Sequence, residues 1–204
     1  MTVDATESIA AQKARMRTEM RGRLDRVDSL ARCEGSALAG NRLLAQEVWC
    51  SARTVGFFVP LPDEMDVWLW MVTALESNKN VALPAFDPIR RTYGMRQIRD
   101  PGSDLVAGRY GVMEPGGHCG EVELNRLDLI LVPGLAFDVR GHRLGRGKGY
   151  FDRMLEGVGA VKCGVGLDEQ IVDYIPVEPH DEIMTCILTP TRWIRIEEQG
   201  RVVE

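Results

Sequence analysis

The chain has 204 residues, 45% of them hydrophobic, with 25 Lys and Arg against 30 Asp and Glu for a net charge of −5. That length suits a single domain over residues 1–204 with a core that needs no staples, and the acidic balance argues against any nucleic-acid partner held by its backbone charge. Runs free of charged residues reach nine, as in Leu129 to Phe137, against the roughly 20 a membrane-spanning helix requires; the first twenty residues hold Asp4, Glu7, Lys13, Arg15, Arg17 and Glu19 and no apolar signal stretch, so no membrane partner and a cytoplasmic location are expected.

In chain order, Ile9, Met16, Met20, Leu24 and Val27 recur at spacings that keep one stripe and predict an amphipathic first helix. Lys13 and Arg17 stand four apart on it, stacked by one turn, where like charges repel mildly unless an anion lies between them. A second helical stretch is predicted near Ser36 to Cys50. The texture then changes to short apolar runs closed by proline: Thr54 to Val59 before Pro60, Asn80 to Leu83 before Pro84, and Leu129 to Val132 before Pro133. Runs of this length, apolar on both faces and separated by helical segments such as Asp66 to Glu76, predict buried parallel strands and an α/β fold. Fifteen of the 21 glycines fall between Gly102 and Gly166, where a ligand loop is therefore expected. Five cysteines without CxxC spacing, and His118, His142 and His180 without any HxxxH pattern, predict ordinary thiols and no transition-metal enzyme.

The most informative stretch is Leu129 to Leu155, which runs from a buried strand through Gly141, Gly145, Gly147 and Gly149 into a helix predicted to start near Tyr150. Glycines let several backbone N–H groups point into one concavity, and a helix N-terminus adds its positive dipole end, a combination that suits phosphate. Arg143, Arg146 and Lys148 supply charge between the glycines, while Asp152, one turn on, is placed to hold a divalent cation against the phosphates. A polyphosphate with Mg²⁺ is the expected guest. A Walker A loop is excluded by His142 and Gly149 at its required Gly and Ser/Thr places, and the dinucleotide fingerprint by Tyr150 at its third glycine.

The twenty-one residues PGLAFDVRGHRLGRGKGYFDR, from Pro133 to Arg153, resemble the signature of the 5-formyltetrahydrofolate cyclo-ligases, also called methenyltetrahydrofolate synthetases. Further matching strings are Lys13-x-x-Met16-Arg17, Glu64-Met65-Asp66, KNVALP from Lys79, Tyr110 to Pro115, and PVEPHD from Pro176. The resemblance implies a three-layer α/β fold with a mostly parallel sheet and helices on both faces. It also implies ATP- and Mg²⁺-dependent conversion of 5-formyltetrahydrofolate, with or without a polyglutamate tail, to 5,10-methenyltetrahydrofolate, ADP and phosphate. By position it assigns the ATP phosphates to Lys13, Arg17 and Arg143, Leu144, Gly145, Arg146, Gly147, Lys148, Gly149, Tyr150 and Phe151, and Mg²⁺ to Asp152 with Asp181. The folate falls to Val59, Glu64, Met95 and Tyr110 with Arg146, Gly147, Lys148, Gly149 and Tyr150. Arg146 and Lys148 are expected at the migrating phosphoryl group. Phe151 stands where the family usually has a second tyrosine. Two other readings stay open at this point: a paralogue that binds ATP or folate without this turnover, and a sugar-phosphate isomerase on a related scaffold. A monomer or weak homo-oligomer is expected.

Overall fold

The computed structural model describes residues 7–108, 111–196 and 202–203; Tyr110, expected at the folate, lies outside the described residues. Helix α1 (Ile9–Leu24) starts where Ser8 Oγ accepts from Ala11 N at 3.3 Å, and α2 (Ser29–Leu44) where the Asp28 carboxylate accepts from Ala31 N at 2.8 Å; such caps satisfy backbone donors that a helix start leaves free. The helix expected over 36–50 is instead the end of α2 and a separate α3 (Glu47–Ser51). Gln46 is extended between them and its side-chain amide donates to Arg42 O. No Gly or Pro marks that break, so the sequence pattern runs through it. Strand β1 (Thr54–Gly56) leads by a loop to α4 (Trp68–Glu76), whose first free N–H, that of Trp68, is taken by Asp66 at 2.9 Å.

Strands β2 (Asn80–Asp87) and β3 (Thr92–Ile98) form a long hairpin, followed by α5 (Pro101–Asp104) and a smaller hairpin, β4 (Leu105–Ala107) with β5 (Met113–Pro115). Then come β6 (Glu121–Val122), β7 (Leu129–Pro133), β8 (Ala136–Asp138), β9 (Arg143–Leu144), α6 (Tyr150–Leu155), β10 (Val161–Val165), β11 (Ile171–Val172), β12 (Cys186–Leu188), β13 (Trp193–Ile196) and β14 (Val202–Val203). Among the described residues, nine strands make one sheet in the order β14-β13-β12-β10-β7-β1-β2-β3-β6. Its five central strands, β12 to β2, are parallel, and both flanks are antiparallel. Two of the expected strand ends move. Pro84 sits inside β2 opposite Met95, past Ala82, the last partner β1 offers, so the strand is paired there on one side only and tolerates a residue without an N–H. Pro133 is the last residue of β7.

Side chains of the central strands alternate between two cores. Leu129, Leu131, Val81, Leu83 and Leu188 pack with Met20, Leu24, Leu43, Trp49 and Met71 from α1 to α4. Ile130, Val132, Ala82 and Ile187 pack on the opposite face with Met154 and Leu155 of α6. Helices thus cover both faces of a sheet whose centre is parallel, which requires strands that are apolar throughout. No helix among the described residues is long and apolar enough to cross a membrane.

Candidate active site

The signature segment first builds its own scaffold. Asp138, fully buried, accepts from the backbone N–H groups of Arg140, His142 and Ile175 at 2.9, 3.1 and 3.1 Å, and pairs with His142 Nδ1 at 2.9 Å. That carboxylate closes the β8–β9 turn and aims the chain back over the ends of β1, β2 and β7. The loop after β9 then needs left-handed backbone at Gly147 (φ +94°) and at Gly149 (φ +63°), the residue that begins α6, a region closed to most side chains. Helix α6 starts at Tyr150 as expected and runs only six residues, so the loop's side chains, more than a helix dipole, must supply the positive charge.

Loop and strand ends enclose a cavity of about 380 Å³. One wall is apolar and aromatic: Phe58, Val59, Leu61, Pro84, Tyr93, Val112, Met113 and Tyr150. The Tyr93 and Tyr150 rings lie 4.8 Å apart between centroids, and Phe86 stands 5.3 Å behind Tyr93. Facing them are Gly145, Arg146, Lys148, Gly149, Phe151 and Asp152 of the loop. Glu114, buried on β5, accepts from Phe86 N at 2.9 Å and stands 3.4 Å from the Tyr93 hydroxyl.

The charged groups are held by partners that sequence spacing does not reveal. Arg146 forks, donating from Nη2 to Asp63 at 2.7 Å and from Nε to Glu64 at 3.0 Å. Burial alone would lower the Arg146 pKa, but the hydrogen bond to Asp63 and the Glu64 charge outweigh it and raise it. Glu64 also accepts from Leu61 N at 3.0 Å; burial nonetheless pushes its carboxyl above the ordinary value, with the Leu61 N–H and Arg146 opposing. Lys148 is exposed at the cavity and makes no ion pair among the described residues.

Asp152, expected as an unpaired carboxylate awaiting a metal, instead accepts from Arg143 Nη2 at 2.6 Å. The Arg143 side chain is 4% exposed, donates from Nη1 to Pro133 O at 3.1 Å, and leaves Nε buried without a partner. Its guanidinium carbon lies 5.7 Å from the centre of the Phe151 ring.

Helix α1 reaches the loop from outside the cavity. Arg17 Nε donates to Gly145 O at 2.9 Å, and a Cβ on Gly147 would stand 3.4 Å from the Arg17 guanidinium. Lys13, expected over the phosphates, is buried one turn earlier between Glu178 at 2.9 Å and Asp181 at 2.5 Å. Asp181 also accepts from Glu178 N at 2.7 Å. Burial works against the Asp181 charge, but Lys13 and the Glu178 N–H overcome it and hold the carboxyl below its ordinary value. Asp181 clusters with Glu178 and His180 within metal-ligand distance, and Asp152 is not in that group.

Val59, Glu64 and most of the loop therefore come together, while Lys13, Arg17, Gly147 and Asp181 stand off the cavity lining, and so do Met95 and Leu144. Met95 is 2% exposed in the sheet, and a Cβ on Gly56 would stand 3.0 Å from its methyl carbon. Leu144 is buried in the core, its carbonyl accepting from Leu135 N. Strand alternation puts both inward, which a motif read as a string does not show. The sequence reading missed Phe58, Asp63, Pro84, Tyr93, Val112, Met113 and Glu114. The last three belong to the Tyr110 to Pro115 string, which marked the segment without marking its side chains.

A cavity over the carboxyl ends of central parallel strands, half aromatic and half cationic loop, defines a ligand-binding α/β protein of the open-sheet class. The profile of the 5-formyltetrahydrofolate cyclo-ligase family matches residues 9–190. A 5-formyltetrahydrofolate cyclo-ligase of Mycolicibacterium smegmatis is 39% identical over 153 residues, 71% of this chain and 77% of its own. The Escherichia coli K12 protein of the same name is 31% identical over 158 residues, 76% of this chain and 87% of its own. In structure, the 5,10-methenyltetrahydrofolate synthetase of Aquifex aeolicus superimposes with a TM-score of 0.82 at 27% identity, covering 94% of this chain and 96% of that one. The chain belongs to the 5-formyltetrahydrofolate cyclo-ligase family and is a ligase.

Proposed function

We propose that the protein cyclises 5-formyltetrahydrofolate to 5,10-methenyltetrahydrofolate with conversion of ATP to ADP and phosphate. The observation that carries this reading is the division of one cavity into an aromatic wall and a cationic glycine loop, which offers a flat heterocycle and a transferring phosphoryl group adjoining places.

An N-formyl carbon is amide-like and a poor electrophile. Attack of the formyl oxygen on the γ-phosphorus, with ADP leaving, turns that oxygen into part of a leaving group; N10 then attacks the carbon, and phosphate departs with the oxygen while the N10 proton passes to the phosphate or to solvent. Little covalent work falls to the protein, whose task is positioning and charge neutralisation. Tyr93 and Tyr150, already in contact with each other, give the heterocycle one aromatic wall. Glu64, kept polar by Arg146, accepts from its donor edge. Lys148 faces the transferring group without a competing carboxylate, and Arg146 stands beside it on the Asp63–Glu64 fork. Arg17 steadies the glycine loop through Gly145. Arg143 offers the loop side a buried Nε with no partner, an atom that an anion oxygen would satisfy.

The donor set also fits Mg²⁺, a hard cation that seeks oxygen. Asp152, on the cavity wall, would hold it in exchange for Arg143, whereas Asp181 lies off that wall with Lys13, Glu178 and His180. The metal would neutralise phosphate charge, and Arg143, given up by Asp152, would be free to face a phosphate oxygen.

Mixing the protein with 5-formyltetrahydrofolate, ATP and Mg²⁺ and following the absorbance of the conjugated methenyl product tests the proposal. Product should form only with all three present. ATP binding without product would overturn it.

A further inference from the structure

Away from the cavity, Asp104, His118 and Cys119 bring a carboxylate oxygen, an imidazole nitrogen and a thiol sulfur within 4.8 Å of one another. We propose that these three side chains form a site for a transition-metal ion of the Zn²⁺ class, with a water in the fourth position.

The frame is built by backbone. Asp104 Oδ2 accepts from Arg99 N at 2.7 Å and Asp100 N at 3.1 Å, which fixes the carboxylate and leaves Oδ1 pointing at His118. Asp104 O accepts from Gly116 N at 2.8 Å and lies 3.6 Å from Cys119 Sγ; Cys119 N donates to Gly116 O at 3.0 Å. Oδ1 and His118 Nε2 are 3.3 Å apart. Two ligands about 2.0–2.1 Å from a tetrahedral ion are separated by about 3.3 Å, so this pair needs no rearrangement to bind one. The Cys119 thiol, donating to Asp104 O, is held beside the same residue whose carboxylate meets His118, so oxygen, nitrogen and sulfur converge on one spot. On binding, His118 gives the Nε2 lone pair, the Cys119 S–H bond breaks with its proton going to solvent, and a sulfur–metal bond forms. The Arg96 guanidinium, donating to Gly116 O at 3.3 Å, places a positive charge nearby; with three protein ligands it makes this a reversible site, weaker than a four-ligand structural zinc.

The placement gives the ion a role. Asp104 precedes β4 and His118 and Cys119 follow β5, so a metal here ties the base of the hairpin that carries Val112, Met113 and Glu114 into the cavity wall. Bound Zn²⁺ should slow amide exchange in β4 and β5.

Titration of Co²⁺ into the full chain tests this, in a Cys33→Ser, Cys50→Ser background that removes the exposed thiols. The expected signal is a thiolate-to-cobalt charge-transfer band at one equivalent, bleached by Zn²⁺. The Glu178, His180 and Asp181 group has no sulfur and cannot produce it. His118→Ala, at an exposed side chain where folding is not at issue, should weaken binding at least about tenfold, and Cys119→Ser should abolish the band. Absence of the band in the parent, or equal binding in His118→Ala, would overturn the proposal.

Discussion

Lys148 carries the sharpest expectation at the scale of single residues. Its side chain is exposed and takes no part in an ion pair among the described residues, so Lys148→Ala should leave the thermal midpoint nearly unchanged while lowering turnover about 100-fold, the usual loss when a charge that meets a transition state is removed. Equal turnover at saturating ATP would remove Lys148 from the chemistry. Asp152→Asn behaves differently, because it takes the carboxylate from the buried Arg143 guanidinium. A loss of about 1–3 kcal/mol is expected, seen as a fall of several degrees in the midpoint without ligand, together with a raised Mg²⁺ requirement. Reading Asp152 as a loop carboxylate nine residues after Arg143 cannot supply this, since spacing says nothing about which guanidinium is buried beneath it. For Glu64, burial holds the folded pKa above its unfolded value, so the folded carboxyl keeps its proton longer and stability falls as pH rises through that raised value. Glu64→Gln removes this term. Its midpoint, measured from pH 4 to 8, should gain on wild type with rising pH, although turnover drops about tenfold or more.

Among the secondary-structure elements, α1 adds long-range ionic and polar ties to the core packing of Met20 and Leu24. Lys13 joins it to the 176–181 segment, Arg17 to the glycine loop and Arg23 to Glu169 O at 3.1 Å. Asp181 has a depressed folded pKa; its contribution is present above an unfolded value of about 4 and is lost as pH falls through the lower folded one. Asp181→Asn should therefore lose midpoint at pH 7 and accelerate amide exchange in α1, with the gap to wild type closing only below pH ~4. A gap unchanged into acid would mean that Asp181 does not anchor the helix. The stripe that predicts α1 is visible in the sequence because it keeps apolar residues on one helical face; Asp66 to Glu76 reads as helical between the strand runs, with Leu69 and Val72 left exposed. Lys13 lies on the buried side of that stripe and reads as a solvated charge until Glu178 and Asp181, more than 160 residues on, are brought to it. Strand β3 escaped notice for a related reason: only Met95 and Ile98 among its seven residues are fully buried, so it has no apolar run.

For the whole molecule, the parallel centre was legible because strands covered on both faces must be apolar at every position. The cavity was not, since its walls come from separated segments around Phe58, Pro84, Tyr93, Glu114, Pro133 and the glycine loop. The two cores share strands residue by residue, Leu129 and Leu131 on one face and Ile130 and Val132 on the other. One cooperative unit should result. Unfolding followed by tryptophan fluorescence, which reports Trp49 and Trp70 on the α1–α4 face, and by far-ultraviolet circular dichroism should coincide; separate transitions would mean that the two faces come apart independently. The ionic make-up of the cavity has a further effect. Arg143, Arg146 and Lys148 line it together with Glu64, Glu114 and Asp152, three cationic side chains and three acidic ones, so its formal charge is zero before any guest arrives. Simple anions such as sulfate or inorganic phosphate should therefore compete poorly for it, because among the described residues Lys148 alone of these cations meets them without an ion pair to break, while Arg143 and Arg146 are reached only by disturbing Asp152, Asp63 and Glu64. A guest that brings both negative charge and its own counter-cation can exchange partners with the wall, and discrimination of that kind filters ligands by their pattern of charge instead of their total.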